Sequence, residues 1–594
     1  MDFCGTLDFC EDGDKFGYAL PGDDCQPYNG PTIRLAPGKK YRLTLRNFAT
    51  ISTNLHTHGL HIVGAGDSDD ITRSVDSGEC LDYTWDIPKD HPGGTNWYHP
   101  HLQINSESQV GGGAMGLLIV DDNLHINPDV PLWASYERVL QIFRSPDVGY
   151  ITNGEDVAEV EVERDRWFRL RVSVVDPLAV PDRFLIEGCN FMKIAHDGVW
   201  SSTVPIPPSR LSRYLLAGSS RSDFVVKCNS EGRFDVRFRG RTVARIVSGR
   251  ARSEVIPLRE WKPERPKSMA GLRETFVPRE NTFDVVMSDS GINGIPWNED
   301  VPLREIAYDQ VHEWTIVRSE VHAFHAHLYH AMVVSPGGCG AMHQEGEFYD
   351  TISGFDPTGR CRIRFRTADI GQRELLHCHV FEHSDQGAMG WVNVVGRNMP
   401  ENNVDSPPYQ CRRPVNCDNC DDTFPTYRPS SKPTSVPTRN PTDRPTPRPT
   451  PVPTRNPTDR PTPRLTPVPS RRPTRNIKLG DNDDGFASAV FSIESPSVTA
   501  IPANGAAPSL TSIGFVAEGC GLQACGECFG DCDTDNDCAG DLRCYQRFGF
   551  EAVPGCTGPG ISRKCTFCRR DLDDYYMYGF ITSSLTPTMC FSFS

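Results

Sequence analysis

The chain has 594 residues, of which 38% are hydrophobic; its formal net charge is −16 at pH 7 and its mean hydropathy is −0.44. At roughly 100–200 residues per domain, that length predicts three to five domains. No run of 18 apolar residues occurs, which argues against a membrane-spanning helix, and the acidic balance argues against nucleic acid as a partner and mildly favours cationic ones.

The charge is unevenly spread. Residues 428–475 carry a local balance of +9, which leaves about −25 on the remainder. Cysteine is also uneven: ten of 22 fall between Cys520 and Cys590. That density predicts an oxidising compartment, so a secreted or cell-surface protein. The N-terminus, MDFCGTLDFCEDGDKF, has no basic n-region followed by an apolar h-region. The expectation is therefore an incomplete N-terminus or an export signal of another kind.

Residues 1–125 read as all-β. PTIRLAPGKKYRLTLRNF and GAMGLLIVDD are short, alternating segments bounded by Pro, Gly or Asp. Residues 126–270 repeat the texture with DRWFRLRVSVV, DRFLIEG and SDFVVKC, and contain one histidine, His196. Residues 271–400 do so again, with NTFDVVMSD, HEWTIVRS, HAMVVSP, CRIRFRTAD and GWVNVVG. Three β-sandwiches of about 125 residues fit this spacing. Residues 401–476 begin with a polar stretch holding Cys411, Cys417 and Cys420. They continue as a Pro/Thr/Arg-rich linker in which PTRNPTDRPTPRPTPV, from Pro437, recurs with one change from Pro453. Proline at that density favours a semi-rigid polyproline II spacer, disordered in the globular sense, spanning on the order of 150 Å. Residues 477–594 are a polar segment and a small Cys-rich module, read as a disulfide framework that tethers the chain to a cell-surface or wall ligand.

The histidines carry the chemistry. HxH occurs four times, at His56/His58, His99/His101, His325/His327 and His377/His379. In an extended strand the two histidines of each pair face one way. The fourth pair encloses Cys378, which then faces the other way, so one strand joins two metal sites covalently. Eight imidazoles would serve three metal ions. Cys378 with His322 and His383 would complete a His2Cys trigonal site, a donor set that suits copper.

HTHG at 56–59, WYHPH at 97–101, HAFHAH at 322–327 and HCHVFEHSDQGAM at 377–389 resemble the motifs of the multicopper oxidases, the family of laccases, ferroxidases and bilirubin oxidases. The resemblance covers about residues 1–397 and implies three cupredoxin-like Greek-key domains. It also implies four copper ions. His322, Cys378 and His383 would hold a type 1 copper, with His383 at the edge that meets substrate. His56 and His325 would hold a type 2 copper. His58, His99, His101, His327, His377 and His379 would hold the type 3 pair. The implied reaction couples one-electron oxidation of a phenol, an aromatic amine, Fe2+ or Cu+ to four-electron reduction of O2 to water. The alternative is a non-catalytic secreted structural or cell-surface protein on the same fold.

Three positions depart from the family pattern. The axial position of the type 1 copper, ten residues after the cysteine, is Ala388, which cannot ligate; Met389 is adjacent and by alternation faces away unless the loop slips by one residue. Ala323 replaces a proline. Ser384 stands where some members have a proton-delivering glutamate, with Asp385 beyond. At the other acid position, thirteen residues after the first histidine, stands Asp69, expected to be a proton donor at the cluster. His61, His330 and His343 match no ligand position and are expected to serve packing or the surface. Met342 and His343 are expected in a wall of the substrate cleft.

Overall fold

The computed structural model describes residues 2–145, 148–177, 180–206, 214–251, 256–317, 322–335, 338–353 and 360–397. Short pieces follow at 407–411, 422–423 and 426–427, and strand fragments at 511–512, 542–546, 556–557 and 566–570. The repeat linker and most of the Cys-rich module lie outside the described residues. Two compact units are distinguished, Met1–Pro449 and Thr450–Ser594. In the second, Leu542–Gln546 pairs antiparallel with Thr566–Arg570, and Thr511–Ser512 pairs parallel with Cys556–Thr557.

The first unit is nearly all β. Its strands form three successive pairs of mixed sheets, each pair closing on its own apolar core. Each sandwich contains the same two parallel pairings between non-adjacent strands. They are Phe3–Asp12 with Lys40–Asn47 and Gly30–Leu35 with Gly116–Val120; then Glu137–Ser145 with Phe168–Val175 and Ala158–Glu163 with Arg241–Gly249; then Thr282–Ser288 with Val311–Val317 and Arg304–Ala307 with Met389–Val395. A parallel pair cannot be closed by a hairpin, so the chain crosses between the sheets of each sandwich.

Periodicity decides which side chains enter the cores. In Ala158–Glu163 (AEVEVE) the apolar residues are buried and the acids turn outward. Phe168–Val175 (FRLRVSVV) is buried along its whole length. Leu170, Val172 and Val174 enter the second core, while Arg169 and Arg171 cover the other face against Asp122, Glu137 and Asp223. Asp223 also accepts the Thr95 hydroxyl at 2.7 Å, and Arg171 Nη1 donates to Thr95 at 3.0 Å. These charges are buried because the first sandwich docks there, and each is paired, as burial requires.

Disulfides join Cys10 to Cys25, Cys80 to Cys411, Cys189 to Cys228 and Cys339 to Cys361. The polar stretch after the third sandwich returns to the first: Tyr409–Gln410 pairs with Glu79–Asp86, Asp422–Thr423 with Phe3–Asp12, and Thr426–Tyr427 with Gly30–Leu35. Among the described helices, none is long and apolar enough to cross a membrane.

Two strand pairs carry the histidine motifs. His56–His58 pairs antiparallel with Gly94–His99, setting His56 opposite His99. Phe324–Ala326 pairs antiparallel with Gln372–Cys378, setting His325 opposite His377 and Phe324 opposite Cys378. Residues opposite each other share a face, so His325 and His377 point together and Cys378 points away from them.

Candidate metal centre

Cys378 ends the strand Gln372–Cys378 and is the free cysteine among the described residues. The chain then turns through the short helix α1, Phe381–Asp385, and returns so that Cys378 N–H donates to Ala388 C=O at 2.9 Å. This turn brings His383 under the thiol, and His322 arrives from just before Phe324–Ala326. Sγ lies 3.4 Å from His322 Nδ1 and 3.6 Å from His383 Nδ1, and the two nitrogens lie 3.1 Å apart. Burial pushes the Cys378 thiol up to about 12, so a bound cation is needed to hold it as thiolate. The outer Nε2 atoms of both histidines face one exposed carboxylate, with Asp289 Oδ1 at 3.5 Å from His322 and 3.6 Å from His383.

On the other face of the same strand, the eight histidines of the HxH pairs converge, all buried. His101 Nε2 and His377 Nε2 lie 3.1 Å apart, as do His58 Nδ1 and His379 Nε2. His58 stacks on His325, and His56 on His327, each with ring centres 3.8 Å apart. Ligand atoms fall into triads of metal-binding dimensions: His56/His58/His99, His56/His325/His327 and His101/His327/His377. Burial, then mutual repulsion, holds His56 and His327 well below the usual imidazole range; His101 and His325 are pulled down to about 4. The rings are therefore neutral near pH 7, the form that ligates.

The outward nitrogens are tied to the protein. His56 Nδ1 donates to Asp69 Oδ2 at 2.8 Å, His325 Nδ1 to Asp350 C=O at 2.8 Å, His377 Nδ1 to Cys378 C=O at 2.9 Å and His99 Nδ1 to Pro100 C=O at 2.9 Å. Ser219 Oγ lies 2.7 Å from His379 Nδ1. The inward Nε2 atoms of His56, His99, His325 and His327 have no protein partner. An unpartnered buried acceptor costs about 1–3 kcal/mol, and several aimed at one space fit cations. Imidazole and thiolate donors together fit copper.

Two buried acids border this cluster. Asp69 also accepts the Thr57 N–H at 2.7 Å and its hydroxyl at 2.9 Å, and burial pushes its carboxyl up to about 7 against those bonds. Asp350 lies beside His58, with Oδ1 at 3.3 Å from His58 Nε2. Against its burial, the Arg221 guanidinium holds its carboxyl well below the usual range. Arg221 and Ser219 come from the sandwich that has no HxH pair.

Sequence spacing did not single out Asp350, Arg221 or Ser219. The available signal was an acid flanked by an aromatic pair and a β-branched pair in FYDTI, 348–352. Asp385 is not at the cluster: it accepts backbone N–H bonds from Ile104, Ser106 and Glu107 at 3.1, 3.3 and 2.9 Å, fastening α1 to the segment after the second HxH pair. His61, His330 and His343 are buried and bonded to carbonyls of Leu328, Asp197 and Cys339 at 2.8, 2.6 and 2.7 Å. Their packing role stands, while Met342 and His343 are buried, with His343 edge-on to Tyr349, rather than lining an open cleft.

Two sequence models described as "Multicopper oxidase" match residues 26–125 and 263–397. The multicopper oxidase mco of Staphylococcus haemolyticus is 23% identical over 401 residues, covering 61% of this chain and 82% of its own. The cell division protein FtsP of Yersinia pestis is 23% identical over 412 residues, covering 62% and 83%. Among solved structures, a laccase from Pediococcus acidilactici superposes with a TM-score of 0.55 at 21% identity, covering 66% of this chain and 90% of its own. Residues 26–125 and 263–397 are thus multicopper oxidase domains, and with its cupredoxin-like sandwiches and converging nitrogen and sulfur donors the chain is an oxidoreductase.

Proposed function

We propose that the chain couples one-electron oxidation of a reducing substrate at the His322–Cys378–His383 centre to four-electron reduction of O2 to water at the eight-histidine cluster. Three domains, 1–125, 126–270 and 271–400, would carry four copper ions in the type 1, type 2 and type 3 sets given above. Bound copper would supply one-electron redox chemistry at the first centre and O2 reduction at the second. One observation carries this reading: Cys378 and His377 face opposite sides of one strand and meet separate donor sets, and His379, just past the strand's end, reaches His58 on the His377 side. The backbone of three residues is then the link between substrate oxidation and O2 reduction. Asp69, raised to about 7 by burial and bonded to His56, supplies protons to the cluster.

The substrate we favour is a reduced metal cation, Fe2+ or Cu+. Asp289 stands over both outer histidine edges, Glu382 is exposed one residue before His383, and burial, then the Glu382 and Asp385 carboxylates, raises Glu107. Acids gathered at the electron-accepting edge attract and hold a cation. A phenol is the second reading, with Asp289 accepting the proton released with the electron. Steady-state rates separate the two. Asp289→Asn should lower kcat/KM for Fe2+ about tenfold or more and leave a methoxyphenol within about threefold; the reverse ranking refutes the metal-ion reading.

A non-catalytic role is suggested by the likeness to a protein named for cell division. The two are told apart by colour and O2 uptake: a copper-loaded chain with no intense blue absorption and no O2 consumption would be a structural protein. The disulfides support residence outside the reducing cytosol.

A further inference from the structure

His58 has a choice that its neighbours make for it. A neutral imidazole carries one proton, and either nitrogen can face a metal. Its Nδ1 lies 3.1 Å from the inward Nε2 of His379. Its Nε2 lies 3.3 Å from Asp350 Oδ1 and 3.2 Å from Thr351 Oγ1. A carboxylate only accepts, so the proton belongs on Nε2 and the lone pair on Nδ1 turns inward. The carbonyl of the same Asp350 takes the His325 Nδ1 proton at 2.8 Å, turning His325 Nε2 inward, where it has no protein partner. One residue thus sets the tautomer of two histidines.

We propose that Asp350, clamped by Arg221, is a positioning residue that fixes the ligating nitrogens of His58 and His325; the inference rests on the reading that the eight histidines hold copper. Arg221 is fully buried and grips both Asp350 oxygens, with Nη1 at 2.8 Å from Oδ1 and Nη2 on Oδ2. Arg221 is itself fixed by donating to Thr95 C=O at 3.3 Å and Ser219 C=O at 3.1 Å, with Asp197 Oδ1 at 3.4 Å. A planar fork that binds both oxygens leaves the carboxylate one orientation.

Two further features agree. The glycine of HTHG, Gly59, has φ +97°, and a Cβ there would fall 2.5 Å from Arg221 Nη2 and 3.1 Å from Asp350 Oδ2. That glycine leaves the space the clamp occupies. Ser219, two residues before Arg221, engages His379 Nδ1, which turns His379 Nε2 inward. The middle sandwich, which has no HxH pair, therefore reaches the cluster from behind through one short segment, Ser219–Arg221.

The test is the copper-loaded double variant Asp350→Leu/Arg221→Met, which removes both charges of the clamp together and leaves Asp197 without its guanidinium partner. Type 1 blue absorption serves as the fold control. Outer partners of this kind set metal affinity by about ten- to a hundredfold. The expected result is full type 1 colour, a weakened type 3 absorption from the copper pair that His58 serves, and cluster copper that a chelator removes about ten- to a hundredfold more readily. Unchanged type 3 absorption and unchanged cluster affinity would overturn the inference. Should the double variant fail to fold, Arg221→Lys keeps the charge, loses the fork and is read in the same two measurements with the same expected and overturning results. A parent chain that takes up only type 1 copper would instead overturn the eight-histidine reading, and the inference with it.

Discussion

Asp69 Oδ2 accepts a hydrogen bond from His56 Nδ1 at 2.8 Å, while the Thr57 N–H and hydroxyl hold Oδ1. His327 Nδ1 lies 3.7 Å from the same Oδ2. The carboxyl therefore contacts the cluster from outside, and burial pushes it up to about 7. An acid is a donor only while protonated, so turnover limited by this group declines as pH rises through about 7. Asp69→Asn cannot deliver a proton. Its kcat should fall roughly a hundredfold, the usual weight of a general acid, while anaerobic bleaching of the blue colour by substrate keeps its rate. Undiminished turnover in that variant would remove Asp69 from the reaction.

Register settles which way Met389 points. His377 is opposite Met389, and Cys378 N–H bonds to Ala388 C=O. Met389 thus shares a face with His377, and Ala388 shares one with Cys378. Loop slippage that would bring the thioether to the first centre is absent. Met389→Leu should leave the type 1 reduction potential unchanged and cost under about 1.5 kcal/mol of stability, as volume-conserving core swaps do. Ala388→Met should lower the potential by adding a sulfur donor on the Cys378 face. A shifted potential in Met389→Leu would show that the thioether reaches the metal.

The four HxH pairs and the alternation around Cys378 were legible because strand geometry maps sequence parity onto faces. No comparable rule exposes Asp350, Arg221 or Ser219. Arg221 lies 129 residues from Asp350, and its role exists only once the sandwiches dock. The same holds for Asp385, one residue beyond Ser384 in HCHVFEHSDQGAM: the turn of α1 directs it at the backbone around Ser106. The polar stretch after Gly396 carried no strand pattern, because its two-residue strands borrow the hydrogen bonds of existing sheet edges.

Removing metal should make the protein acid-sensitive. His91 is pulled down to about 3, and His101, His325 and His343 to about 4, by burial first; other cluster histidines lie well below 6.5. Between about pH 6.5 and 4 the unfolded chain binds these protons and the folded chain does not, so stability falls as pH falls. Each such histidine contributes up to about 1.4 kcal/mol per pH unit. Asp69, at about 7, and Asp197, raised to about 6, act in the opposite sense but are outnumbered. The apoprotein should melt well below its pH 7.5 midpoint at pH 5. Excess copper should reduce that difference at pH 5 by binding only the folded chain. An apoprotein equally stable at both pH values would contradict the burial of neutral histidines.

Truncation tests whether the C-terminal unit acts as a tether rather than in the reaction. The first compact unit runs to Pro449, and strands as late as Thr426–Tyr427 complete the sheets of the first sandwich. Ending the chain at Pro449 removes the second repeat and the Cys-rich module but keeps every described strand of that unit. Blue colour, copper content and turnover should be those of the full chain, while attachment to cells or cell wall should be lost. Ending it at Gly396 instead removes the strands at 409–427 and the Cys80–Cys411 bridge. That bridge closes a loop of 331 residues, and loss of a native disulfide typically costs about 2–4 kcal/mol. The shorter chain should unfold at lower denaturant while retaining its spectra in buffer. Loss of turnover at the Pro449 truncation would show that the second unit takes part in the reaction rather than in anchoring.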